Sequence, residues 1–418
     1  MARGSILAVV TFAFGCYEPN LPAVPFACQS SRECPDGYYC APNEPICIAN
    51  GTVDNNFLLS ESTQASEPPR PVWNSASLRF GVFWTLSSLD SSSQPGLWMT
   101  EFEKVQADVQ NLGQYLVEST GQSTVGFNVL FDASYSGYVY GEALKDDDGT
   151  HLRVKSLASP TVAPLTLFED PNSDPSAIGF SAPSLAVRPD GELDVTYTYG
   201  NPPVIYENNL YYTPIPLPDE MPPQPRYLNN SLATDALVAA PDDLTTILFW
   251  RDSTGAVFQT SSASSTQNPL SGIRNISRIA VIYGQVVLVE QQGTSSTSEW
   301  IITTLDQTPL TGIPLSEGVP DLIATDTGLA VCTFDSQNGL LYYFFSVNLN
   351  GDLLTLGAVG APKQVKRYST APISSCRLAY SSEGNVLAVA WQETIPPSQT
   401  DNSPSLFRNY VQAIDLSK

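Results

Sequence analysis

A single histidine restricts the chemistry open to this 418-residue chain. His151 follows an acidic run at 145–149, KDDDG. A hydroxyl or thiol nucleophile needs a neighbouring base, so any triad would have to run through His151, and no G-x-S-x-G elbow accompanies it. One histidine also rules out an H-E-x-x-H zinc helix. Read as an EF-hand with Gly149 at the sharp turn, the acidic run puts Leu144 at the first ligand position and Lys155 at the twelfth, where carboxylates are required. We therefore expect His151 in an exposed loop and KDDDG in a hairpin turn, with no metal site, no cofactor and no catalytic residue assigned.

Acids dominate the remaining polar groups: 42 Asp+Glu oppose 19 Lys+Arg, for a formal charge of −23. Nucleic acid is bound through clustered Lys and Arg, and the sequence has no basic stripe, so nucleic acid is not expected as a partner. A surplus of one sign keeps an extracellular protein soluble. Two acids about 5–10 Å apart would suit glycoside hydrolysis, which keeps a carboxylate-dependent glycosidase or lyase as an alternative function. Trp84, Trp250, Trp300 and Trp391 offer faces on which a sugar would stack. Trp250 and Trp391 occupy equivalent places in a repeat, so they read first as packing residues.

The chain has seven cysteines. Cys28, Cys34, Cys40 and Cys47 lack the close pairs of a zinc site and have no histidine nearby. A segment this short cannot bury a core, so the four are expected in disulfides, with all pairings open. Cys332 and Cys376 fall in consecutive repeats and are expected to bridge them. Cys16 closes the opening segment MARGSILAVVTFAFGC, in which Arg3 precedes an apolar run too short to cross a bilayer. That is the plan of a secretory signal.

The end of that segment resembles a bacterial lipobox: Gly15 and Cys16 match, Ala13 replaces the usual Leu, and Phe14 stands where a small residue is usual. The phrase C-x5-C-P-D-G-Y-Y-C-x6-C is similar to a short Cys-rich module that follows the lipid anchor in some secreted bacterial lipoproteins. The resemblance is confined to the N-terminal segment. It implies a signal peptide at 1–15, lipidation of Cys16 and a disulfide-rich module over 16–49. An ordinary cleaved signal with Cys16 unmodified is the alternative.

Any binding surface must be positioned by the repeat that fills the rest of the chain. Residues 378–391, LAYSSEGNVLAVAW, read as a strand, a tight turn and a second strand. The figure recurs at 185–197, 237–250, 279–290 and 322–334, and one or two further strands follow each copy. Units of roughly 40–55 residues with four short strands indicate a β-propeller. Candidate strands at 77–86, 97–102 and 115–118, and at 125–131, 138–144 and 152–157, add two units. That makes seven blades, or six if the second unit is irregular. Residues 99–116 also carry some helical character. The run 406–416 is placed to complete the last blade beside the first, and closure matters because an open ring exposes strand edges. Neither the S-x-D-x-G-x-T-W turns of sialidase propellers nor W-D or Y-W-T-D signatures occur.

The polar segment 50–72 reads as a tether in which Leu58 and Leu59 dock locally, and the Pro-rich stretch 214–226 as a rigid connection between blades. The expectation is an all-β chain with its propeller over 73–418, in the cell envelope or outside the cell. Its propeller face would bind a protein or glycan without catalysis, and the membrane would be reached through the N-terminal lipid. A purely structural envelope component is the further alternative.

Overall fold

The computed structural model describes residues 38–40, 47–49 and 56–416, apart from the connecting segments 64–66, 87–93, 106–107, 120–122, 147–148, 171–178, 201–207, 217–225, 230–232, 253, 265, 293–298, 307–308, 314–317, 336–338, 352, 359–362, 367–372 and 398–404. The chain divides into a unit over Met1–Val53 and a unit over Asp54–Lys418. In the first, β1 (Tyr38–Cys40) pairs antiparallel with β2 (Cys47–Ala49), and Cys40 stands opposite Cys47 in the register. Cys16, Cys28, Cys34 and the expected signal lie outside the described residues.

The second unit is a β-propeller of seven blades. Its chain begins with β3 (Phe57–Ser62), which belongs to the last blade. Blade 1 is β4 (Arg70–Asn74), β5 (Arg79–Leu86), β6 (Gly96–Val105) and β7 (Asp108–Ser119). Blade 2 is β8 (Ser123–Asp132), β9 (Gly137–Asp146), β10 (Gly149–Leu157) and β11 (Leu165–Glu169). In blade 3 the first strand is split into β12 (Gly179–Phe180) and β13 (Ser184–Val187), both pairing with β14 (Leu193–Gly200), followed by β15 (Asn208–Ile215) and β16 (Arg226–Asn229). Pro183 lies at the split, where its missing N–H interrupts the ladder.

Blade 4 is β17 (Thr234–Ala239), β18 (Ile247–Arg251), β19 (Val257–Ser261) and β20 (Asn268–Leu270). Blade 5 is β21 (Ile273–Ile282), β22 (Gln285–Gln292), β23 (Glu299–Thr304) and β24 (Pro309–Gly312). Blade 6 is β25 (Asp321–Thr325), β26 (Gly328–Asp335) and β27 (Gly339–Asn350), with β28 (Leu353–Ala358) and β29 (Lys363–Lys366) sharing its outer edge. Blade 7 is β30 (Ile373–Ser381), β31 (Val386–Ile395), β32 (Leu406–Asp415) and, outermost, β3.

The first strands form the inner wall of a closed ring, each meeting the next from β4 through β8, β13, β17, β21, β25 and β30 and back to β4. Second strands are sandwiched between neighbouring blades, so they are buried on both faces and read as unbroken apolar runs such as VLAVAW in β31. An apolar cluster fills each junction between blades. That between blades 6 and 7 gathers Leu340, Tyr342, Leu387, Val389 and Trp391 around the disulfide Cys332–Cys376, whose Cα atoms are 6.3 Å apart. Among the described residues two small clusters lie between blades 3 and 4, one around Leu210 and Trp250 and one around Tyr212, Val238 and Leu248.

Three expectations need correction. The segment 50–72 is not a plain tether: β3 closes the ring on the outer edge of blade 7, and β4 opens blade 1 from Arg70. A register shift between Leu58 and Ser60 breaks the two-residue alternation, which is why FLLSES carries no strand period. Pro71 is compatible with β4 because an innermost strand pairs on one side only. The run 406–416 is therefore the third strand of blade 7, not its outer one. Finally, 99–116 folds as the hairpin β6–β7.

Candidate functional site

In five blades the residue that precedes the inner hairpin occupies the same layer of the first strand. In blades 5, 6 and 7 these residues are Arg278, Asp321 and Arg377, and the corresponding residues of blades 1 and 2 are Arg70 and Asn128. Their cross-strand partners, Phe83, Gly141, Val289, Cys332 and Ala390, are each the fifth residue of the second strand. One layer of the propeller thus brings three guanidiniums onto a common cavity of about 390 Å³. Trp73, Ser75, Phe131 and Tyr380 also line it.

The three cations are not equally partnered. Arg70 lies 2.9 Å from the Glu67 carboxylate, donates to Asn128 Oδ1 at 3.1 Å and sits 5.5 Å over the Phe127 ring. Arg278 Nε donates to Asp321 Oδ1 at 2.5 Å. The other oxygen of Asp321 accepts the Leu378 backbone N–H at 2.7 Å, so this buried carboxylate ties blades 5, 6 and 7 together. Arg377 donates to the Cys376 carbonyl at 2.9 Å, and its Nε, like that of Arg70, is buried without a hydrogen-bond partner. Among the described residues no carboxylate is bonded to Arg377.

Electrostatics follow from this arrangement. Burial, followed by the charges of Arg278 and Arg70, holds the Arg377 guanidinium at about 9, with Asp321 and Glu67 opposing the shift. Arg70 is also lowered, chiefly by burial, and Glu67 opposes that shift. At neutral pH Arg377 remains a cation, and among the described residues no carboxylate is paired with it. The planar fork of a guanidinium matches a carboxylate or oxyanion through paired N–H···O bonds.

Two aromatic side chains at the cavity are held by acids in neighbouring turns. Trp73 Nε1 donates to Glu383 at 2.9 Å, and the Tyr380 hydroxyl lies 3.2 Å from Asp326 Oδ2. Strands alternate in direction within a blade, so the turns between first and second strands and those between third and outer strands share one rim. Exposed apolar side chains stand on that rim at Leu78, Leu244 and Tyr283 and around the last turn of blade 6 at Leu349 and Leu353.

Other polar clusters hold blades together. Asp194, fully buried, accepts from Arg188 Nε and Nη2 at 2.9 and 2.8 Å, from the Tyr212 hydroxyl at 2.7 Å and from Thr246 Oγ1 at 2.6 Å. It joins blade 3 to blade 4. At the junction of blades 1 and 2, Glu118 accepts from Tyr140 at 2.9 Å and from Lys155. Beside it Glu142 is fully buried, and its proton affinity is pushed up by burial and by the Glu118 charge.

Among the described residues, none of the site candidates singled out in the sequence lines the cavity. His151 is buried in β10, not exposed in a loop, because it stands opposite Leu144 within the blade and points toward Glu169, 3.7 Å away. The KDDDG run joins β9 to β10, and the middle of 214–226 lies outside the described residues. Trp84, Trp250, Trp300 and Trp391 are buried, with Trp84 stacked on Trp98, Trp250 on Phe258 and Trp391 on Tyr410. Among the described residues no three metal-ligating side chains cluster, and no carboxylate lines the cavity. The arginines were missed because they are far apart in sequence. Aligning the hairpins one residue earlier would have put Arg278, Asp321 and Arg377 in register.

Fold and site together define a closed seven-bladed β-propeller with a cationic central cavity in an acidic chain. No protein-family model matches the sequence, and no curated protein matches it. Among solved structures the chain is similar to BBS1N, crystallised in complex with ARL6DN, at 9% identity and a TM-score of 0.44, over 85% of this chain and 96% of that one. It is also similar to a prolyl endopeptidase at 12% identity and a TM-score of 0.44, where it spans 50% of the other chain.

Proposed function

We propose that this is an exported, lipid-anchored binding protein whose propeller engages a protein or glycan by an anionic group at the central cavity. The convergence of Arg70, Arg278 and Arg377 carries this reading, above all the lack of a described carboxylate on Arg377. A chain of charge −23 has no general attraction for anions, so a concave cluster of three cations is a local investment in one ligand. The binding role also fits the cavity better than glycoside hydrolysis does, since the described lining supplies no pair of acids. Export and anchoring rest on the opening segment and Cys16. The apolar side chains on the rim supply contact area around the cavity mouth.

Two measurements test the proposal. Titration of the full chain against a panel of acidic and neutral oligosaccharides and peptides should show binding of an acidic member that Arg377→Ala weakens at least tenfold. Equal binding by the variant would overturn the cavity as the site. Mass spectrometry of the native N-terminal peptide should find an acylated Cys16. A chain that retains Met1 and an unmodified Cys16 would remove the anchor.

A further inference from the structure

Resting on the anion-binding role above, we infer that the cavity takes the carboxylate of an acidic sugar at the end of a glycan. Charge count points there first. The lining contributes three cations, of which Arg70 is bonded to Glu67 and Arg278 to Asp321, so one positive charge is left for a ligand. A carboxylate supplies one negative charge, whereas a phosphomonoester carries about 1.5 to 2 at neutral pH and would overfill the site. The planar guanidinium fork also meets a planar carboxylate edge to edge.

Walls and volume point the same way. Trp73, Phe131 and Tyr380 give the cavity aromatic faces, and most of the remaining lining is aliphatic, as at Val129 and Ile323. A pyranose has an apolar C–H face for such a wall and hydroxyls that stay at the open mouth when the carboxylate enters first. A peptide terminus would instead bury amide groups among aliphatic side chains without hydrogen-bond partners, which is costly. About 390 Å³ is at the small end of ligand sites and accommodates a terminal sugar, not a folded domain.

The test is calorimetric titration of the full chain with methyl glucuronide, methyl glucoside, glucose 6-phosphate and a short peptide with a free C-terminal carboxylate. Methyl glucuronide should bind at least tenfold more tightly than each of the other three. Arg377→Met should abolish that preference, and Trp73→Ala should weaken binding several-fold while keeping it. Tighter binding of glucose 6-phosphate or of the peptide, with the same dependence on Arg377, would overturn the acidic sugar and leave the anion site standing. Absence of Arg377-dependent binding across all four probes would overturn both.

Discussion

Two partly buried arginines in this propeller have opposite surroundings. Arg188, at the junction of blades 3 and 4, is bonded to Asp194 through two nitrogens, to Glu192 at 2.5 Å and to the Tyr212 hydroxyl at 2.8 Å. Its proton affinity is raised, because hydrogen bonding and attraction to Asp194 outweigh burial. Arg377, in the central cavity, is bonded to one backbone carbonyl, and burial followed by two like charges lowers its proton affinity. The same side chain is thus a fastener in one place and an unsatisfied group in the other. Matched ion pairs hold blades together, whereas a cation without a paired carboxylate in a concavity is the group on which the proposed anion site rests.

The largest expected effect lies at the fastener. Asp194 accepts four hydrogen bonds at full burial, so Asp194→Asn should break the buried half of the Arg188 pairing, leaving the guanidinium only the more exposed Glu192, and cost about 3 kcal/mol of unfolding free energy. The loss should be large because one fully buried carboxylate joins Arg188 and Tyr212 of blade 3 to Thr246 of blade 4. Urea unfolding at constant pH and salt measures it. A cost under about 1 kcal/mol, the level of a surface pair, would erase the distinction between the two arginines.

Much of the fold was legible because a blade repeats its strongest signal. The second strands are buried on both faces and show as apolar runs, and the turns after the first strands carry residues that tolerate left-handed backbone, such as Gly284 at φ 73° and Asn385 at φ 46°. β3 was illegible as the closing strand because a bulge disrupts its period and its partner, β32, lies at the far end of the chain. The site was harder still. Ring closure, not sequence proximity, brings Arg70 near Arg377, and a charge census of the chain reports the acidic surface rather than its cationic interior. His151 misled for the converse reason: a polar type suggested a loop, but its position opposite Leu144 placed it in a buried strand.

A smaller effect of opposite sign completes the comparison. Arg377→Met keeps an unbranched side chain of similar reach while removing a cation that Arg70 and Arg278 repel. Because Arg377 is charged at pH 7 with its proton affinity at about 9, the wild type carries that repulsion throughout the neutral range. The substitution should therefore raise unfolding free energy by about 1–2 kcal/mol, although most core changes destabilise. Added methyl glucuronide, a monoanion, should stabilise the wild type by occupying the cavity, in proportion to the logarithm of its concentration once saturating, and should do less for the variant. A variant that is less stable by more than about 1 kcal/mol would show that Arg377 is a fastener after all. Stability gained together with ligand binding lost is the signature of a residue kept for function at the expense of the fold.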